Sequence, residues 1–397
     1  MSTTIGSVLA SAPDAPAPEA WGKVARIVIF SAIVPLALLV APILTTQLIA
    51  ERGLTAANVG NYFLFELGGI SLASLPALWW MRRFNSRQIA PVAAVTFIAG
   101  NLMSTIVPGI ELLYLTRLVT AMAGGALMLL CLNAAGAAAN RDRLFGWWIA
   151  GQLVLGALGL SLLPRLFASF GLNAFYILLA AMMAAALPLA FRFDAPTIDP
   201  APREPRGAST GGLLLSAVAM IAVFAFYIGL GGSWAFMSVI AERAGLKPLP
   251  VADTIAIASL LGIAGALLAT FLGGRATRTY ALFAGYALLL GAVLMLLGRL
   301  NMTAFAGAAY AFKFSWTFTL PFILAAIASR DTSGGIMAWV NMVIGFGTSI
   351  GPVITGRILG GAGAPVMLIF CATMIAASFA LLLLIETGVV SGRARTR

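Results

Sequence analysis

The sequence predicts an all-α integral membrane protein with twelve transmembrane helices in two pseudo-symmetric six-helix bundles. Three observations predict it. The 397 residues are 61% hydrophobic and only 9% charged, with a mean hydropathy of +1.01, so the chain has too little charge to cover a water-facing exterior. Its apolar runs are continuous over roughly 20 residues rather than alternating in short segments, which favours helical spans over a β-barrel. Finally, one polar run, FDAPTIDPAPREPRGASTG from Phe193 to Gly211, holds four prolines, three acids and two arginines and divides the apolar sequence into two similar blocks.

Taken in order, residues 1–23 (MSTTIGSVLASAPDAPAPEAWGK) lack a basic start and are too polar for a signal peptide's apolar core, so they read as a cytoplasmic tail. Six spans follow, near 24–50, 58–80, 88–108, 111–139, 144–163 and 172–192, forming a first half over 24–193. Residues 194–211 read as a cytoplasmic linker, and a second half over 212–387 holds spans near 212–240, 250–273, 279–299, 303–328, 335–358 and 364–387, before a cytoplasmic tail at 388–397. With the N-terminus inside, sixteen Lys and Arg residues fall in cytoplasmic segments and six in outer ones. This bias sets the orientation, with both termini cytoplasmic in a bacterial-type plasma membrane.

Composition also narrows the function. The net charge is +11, but the basic residues stand singly or in pairs beside apolar runs, as expected for topology rather than nucleic-acid binding. The two cysteines, Cys131 and Cys371, lie inside apolar runs without CxxC spacing, and there is no histidine, so neither a metal site nor an imidazole proton shuttle is expected. The chain carries no phosphate-cradling P-loop of a pump and no nucleophile–base pair of an embedded enzyme.

Loop sequences point to an internal duplication. NRDRLFGW from Asn140 joins the fourth and fifth spans, and SRDTSGGI from Ser329 joins the tenth and eleventh; both pair Arg with Asp and open the next helix with glycine. MRRFNSRQ from Met81 is echoed by GGRATRT from Gly273. The first of these basic loops resembles the GxLaDRxGRR signature of the major facilitator superfamily, with Leu78 at its first glycine, Arg82 at its aspartate and Asn85 at its second glycine. RLVTAMAGGA from Arg117 resembles the fourth-span motif of the same superfamily, with Ala121 at one glycine. The resemblance runs from Val24 to Glu386 and implies two bundles rocking about a central site, which the first, fourth, seventh and tenth spans line. It implies a monomeric secondary transporter whose partners are a small-molecule substrate and the lipid bilayer, with no cofactor beyond a proton gradient.

Three ionisable side chains fall well inside the spans: Glu66, Arg117 and Lys313. Each would cost about 2.5–3.5 kcal/mol if left against lipid near the bilayer centre, so each is expected to face protein or a water-filled cavity. Glu66 and Arg117 enter from the same side and lie within roughly 3 Å of the same depth, so they are expected to meet. Either they form a fixed ion pair that locks the first half, or Glu66 carries a proton whose affinity Arg117 tunes. Lys313 lies about 15 Å into the tenth span, near the midplane. The resemblance places it on the substrate path, the alternative being a lysine that snorkels or bonds locally.

Aromatic residues surround that position in sequence. Tyr310 and Trp316 flank Lys313, while Tyr227, Gly231 and Trp234 share one face of the seventh span. Tyr227, Trp234, Tyr310 and Trp316 are candidate substrate contacts because each has a polar group needing a partner, whereas Phe314 and Phe318 read as packing residues. Gln47, Asn133, Gln152 and Asn341 read mainly as helix-to-helix bonds, and Gly347 and Gly351, like Gly156 and Gly159, as close helix approaches. A cation ringed by aromatics suits a small organic anion such as an aromatic carboxylate. The expected function is proton-coupled symport of such an anion by alternating access. The alternative is proton-driven export of amphipathic compounds, although the fifth span reads GALGLSLLPRL and lacks the GPxxGG run of many proton-coupled exporters in the superfamily.

Overall fold

In a computed structural model, residues 21–193 and 210–387 are described, except 82, 137, 139, 274–276 and 330–335. Almost all of the expected tails and linker and parts of the repeated loops therefore lie outside the described residues, although Trp21–Lys23 of the expected tail begin the first helix. The chain forms α1 (Trp21–Ile33), α2 (Leu36–Leu39), α3 (Ala41–Arg52), α4 (Ala56–Leu72), α5 (Ser74–Trp80), α6 (Ser86–Ile106), α7 (Ile110–Gly136), α8 (Arg141–Phe170) and α9 (Asn173–Ala190) before the linker. After it come α10 (Thr210–Arg243), α11 (Pro248–Leu272), α12 (Arg278–Met295), α13 (Met302–Ala328), α14 (Ile336–Gly361) and α15 (Gly363–Glu386). No strand occurs among the described residues.

Ten of these helices are long and apolar enough to cross a bilayer. The places of the first and second expected spans are taken by interrupted segments, α1–α3 and α4–α5, and a count of twelve rests on both of them crossing. Proline explains the interruptions, because it lacks an N–H and leaves the carbonyl four residues earlier without its helical partner. Pro35 follows the end of α1 and frees Ser31 O; Pro42 opens α3 and frees Leu38 O; Pro76 lies in α5 just after the break at Ala73. Two of the freed carbonyls are recovered by side chains. Gln152 of α8 donates to Ser31 O at 2.9 Å, and Trp234 of α10 donates to Leu38 O at 2.8 Å. A buried carbonyl needs such a partner, so broken helices persist only where a neighbour supplies a donor.

Helices α1–α9 pack mainly on one another, as do α10–α15, and the two groups meet where α4 faces α14, α8 faces α11 and α3 faces α10. The α4–α14 seam is lined by glycines: a methyl group on Gly60 would strike the Pro352 carbonyl, and one on Gly356 would strike Ala56 O. Gly347 and Gly351 bring α14 onto the backbone of α10, while Gly156 and Gly159 seat α8 against Leu39 and Val40. Small residues at these faces allow the helices to approach in a solvent that gives apolar side chains no drive to associate.

Polar contacts mark the two ends of the molecule. On the face where the linker joins α9 to α10, Arg87 donates to Phe193 O at 3.3 Å and Arg278 reaches Glu386 at 3.0 Å. On the far face, Gly53 adopts φ 62° and stops α3, after which Thr55 caps α4 by accepting from the Asn58 N–H at 3.2 Å. Glu51 there accepts from the Leu172 N–H at 2.5 Å.

Candidate functional site

Of the buried cations Arg26, Arg117 and Lys313, the last two lie deep in the spans, and different helices build their surroundings. In the first half, α4 and α7 place Glu66 and Arg117 side by side: Arg117 Nε lies 2.5 Å from Glu66 Oε2, and Nη2 lies 2.8 Å from Oε1. Nη1 donates to Asn101 Oδ1 at 2.9 Å and to Ser104 Oγ at 3.2 Å, both on α6. Four of the five guanidinium N–H groups are thereby used. The acceptors are themselves fixed, because Asn101 donates to Phe97 O and Ser104 to Gly100 O, each at 2.8 Å. The Tyr176 ring lies 5.2 Å from the guanidinium carbon, and its hydroxyl donates to Tyr62 at 3.3 Å. Arg117 is 0% and Glu66 2% exposed, so the pair is dry and nearly saturated with hydrogen bonds.

Lys313 is placed differently. Its stem lies on Gly262 of α11, where a side chain would press on Lys313 Cγ, and Thr317 ties the same two helices by donating to Gly262 O at 2.6 Å. The ammonium rests against two indoles, 4.1 Å from the ring centres of both Trp234 and Trp316. Trp234 also stacks on Phe312, with ring centres 6.2 Å apart and planes 5° apart. Lys313 is 2% exposed, and among the described residues no carboxylate pairs with it. Snorkelling is therefore not how this side chain is accommodated; aromatic faces hold it. Glu66 is occupied by Arg117.

The Trp234 indole connects this cation to the other half. Its ring faces Lys313 while its N–H donates to the carbonyl that Pro42 leaves free in the first half. Two further links cross between the halves on the far face. Arg165 grips both oxygens of Asp253, at 3.0 and 3.1 Å, and Arg357 lies 3.3 Å from Asn61 Oδ1. This arrangement is closed on the far face.

The other candidate residues divide. Tyr227 is buried against Gly347 of α14, and Tyr310 is half-buried and is not one of the rings against the ammonium. Gln152 bonds to Ser31 O, and Gln47 donates to Glu51 at 2.7 Å. Asn133 Nδ2 is buried without a partner, and Asn341 is exposed. Sequence reasoning missed Asn101, Ser104, the Leu38 carbonyl and the Arg165–Asp253 pair. A signal existed for the carbonyl, since a proline four residues downstream marks it.

Comparison with known proteins agrees with this architecture. The sequence matches the model of the Major Facilitator Superfamily over residues 27–352. The chain belongs to that superfamily. Its structure is similar to that of the nucleoside transporter NupG, at 12% identity and TM-score 0.69, covering 92% of this chain and 99% of that one. It is similar to the POT family transporter PepTSo, at 12% identity and TM-score 0.70, covering 93% and 99%. A third similar structure is a bacterial homologue of the human lysosomal transporter Spinster in an inward-facing and occupied conformation, at 14% identity and TM-score 0.68, covering 95% and 98%. No curated protein matches by sequence. The chain is thus a multi-pass membrane protein with the fold of a secondary transporter, a superfamily whose members are not typically enzymes.

Proposed function

We propose that this transporter carries a small organic anion, an aromatic carboxylate being the best fit, by proton symport across a plasma membrane, as a monomer with both termini cytoplasmic. The observation that carries this reading is the Lys313 ammonium, buried between two indoles with no carboxylate beside it among the described residues. Contacts of an ammonium with aromatic faces contribute about 0.5–2 kcal/mol each. A carboxylate arriving at the same ammonium forms charge-assisted hydrogen bonds roughly twice as strong as neutral ones. An anion can therefore draw the ammonium off the rings, whereas a neutral ligand cannot. Because Trp234 also donates to Leu38 O of the opposite half, displacing the ammonium alters the indole that ties the halves together. Opening the far face then requires parting Trp234 from Leu38 O, Arg165 from Asp253 and Arg357 from Asn61.

The coupling proton is assigned to Glu66. Protonation would dissolve its ion pair and leave Arg117 to Asn101, Ser104 and the Tyr176 ring. A specific observation favours a second role for the pair, as a fixed clamp: four guanidinium hydrogens are satisfied, two of them by acceptors, Asn101 and Ser104, that are themselves anchored. Glu66→Gln separates the two. As a proton site, the variant transports with its dependence on external pH abolished; as a clamp, it keeps that dependence. Direction is read in proteoliposomes under an inward acid gradient. Uptake of radiolabelled aromatic acids with the proton supports symport, and movement against the proton supports export of amphipathic compounds instead.

A further inference from the structure

The far face holds a second concave site where the two halves meet. Ile43 and Thr46 of α3, Pro164 and Phe167 of α8, Glu242 of α10 and Pro248 of α11 line a cavity of about 250 Å³. A neighbouring chamber of about 300 Å³ continues along α3 and α10 past Ile49 and Val239, sharing Thr46 and Glu242. These volumes lie at the lower end of ligand pockets, suited to a small molecule. The walls are mostly apolar; Thr46 and Glu242 present acceptors, Gln47 keeps one amide hydrogen, and Arg243 of the second chamber is exposed. Thr46 spends its hydrogen on Ile43 O at 3.0 Å, and Gln47 spends an amide hydrogen on Glu51, leaving its oxygen to accept.

Glu242 is half-buried, and among the described residues it has no ion pair or hydrogen bond. The neighbouring cations do not satisfy it: Arg165 is engaged by Asp253, and Arg243, on the rim, is exposed. A partly desolvated carboxylate left without a partner is costly, and the complement of a carboxylate among acceptors and apolar walls is a cation on an apolar body.

We propose that this groove binds a small organic cation, a primary ammonium on an apolar or aromatic body, held by Glu242. The bound molecule touches α3 and α8 of the first half and α10 and α11 of the second. It therefore fastens the far face shut, and by linkage it stabilises this arrangement over one in which the halves have parted. The site is separate from Lys313 and does not depend on the anion assigned to that residue.

The test uses the purified full-length protein in detergent, with benzylammonium as probe and benzyl alcohol as the uncharged control. Benzylammonium should raise the midpoint of thermal unfolding in a saturable way, and benzyl alcohol should not. Glu242→Gln should weaken benzylammonium binding about tenfold or more, the loss expected on removing a charge-assisted contact. Ala50→Trp, which narrows the second chamber from an exposed position, should also weaken it. The proposal is overturned if benzylammonium does not stabilise the wild-type protein or if benzyl alcohol matches it. Equal binding by Glu242→Gln overturns it too, because that outcome places the amine elsewhere.

Discussion

Arg117 and Lys313 are both buried cations, 0% and 2% exposed, yet their surroundings differ in kind. Arg117 has a carboxylate, an amide and a hydroxyl within hydrogen-bond distance, whereas the Lys313 ammonium rests, among the described residues, against ring faces. Arginine's planar fork can be saturated by fixed acceptors, while lysine's ammonium is a compact charge that aromatic faces hold loosely. The difference teaches where free energy is stored. Removing one partner from the first cluster strands a buried charge, and removing Lys313 strands nothing. One region is organised as a support, and the other is left able to exchange its contacts.

The largest effect that would sharpen this contrast is on stability. Arg117→Met should destabilise the protein by about 3–5 kcal/mol, the usual cost of breaking a buried pair from one side, read from unfolding in detergent. Combining it with Glu66→Gln should recover part of that loss, since no charge then remains buried; a double variant as unstable as the sum of the two single ones would break the account. Lys313→Met should be neutral or stabilising by about 1 kcal/mol, because an unpaired buried ammonium is replaced by an apolar chain of similar length. If Lys313→Met unfolds as readily as Arg117→Met, the two regions do not differ as argued.

Smaller effects test the link between the halves. Trp234→Phe keeps a ring near the ammonium but removes the donor to Leu38 O, at a cost of about 1–3 kcal/mol for a buried acceptor left unmade. It should favour arrangements open on the far face, measured as faster labelling of a Thr46→Cys reporter by a membrane-impermeant maleimide; unchanged labelling would contradict the role given to that bond. Arg165→Gln should have the smallest effect on unfolding in detergent, because Arg165 and Asp253 are 47% and 40% exposed and water screens the pair.

Much of this plan was legible in the residues. Continuous apolar runs gave the helices, and equal depth in two spans from one side placed Glu66 beside Arg117. The breaks in the first two segments were less legible. Pro35, Pro42 and Pro76 are visible, but whether a proline kinks or interrupts a helix depends on which neighbour takes the freed carbonyl. Gln152 and Trp234 lie far away in sequence. The Trp234 side chain was read as needing a polar partner; that partner is a main-chain oxygen, which Pro42 marks as free without saying which distant donor takes it. Asn101 and Ser104 carried no mark beyond being polar in a span, and the Arg165–Asp253 pair depends on how the halves sit together. Thr45 and Ser238, buried hydroxyls without a hydrogen-bond partner on α3 and α10, were equally silent.

The central claim is that Lys313 is a binding group and not a support. Its most direct test is uptake and binding of a panel of radiolabelled aromatic and aliphatic carboxylates by wild-type and Lys313→Met protein in proteoliposomes, with folding verified by unfolding curves. The account predicts a folded variant whose affinity for the transported carboxylate falls about tenfold or more, the loss expected for a buried charge-assisted contact. A folded Lys313→Met protein that binds every tested carboxylate as the wild type does would contradict it.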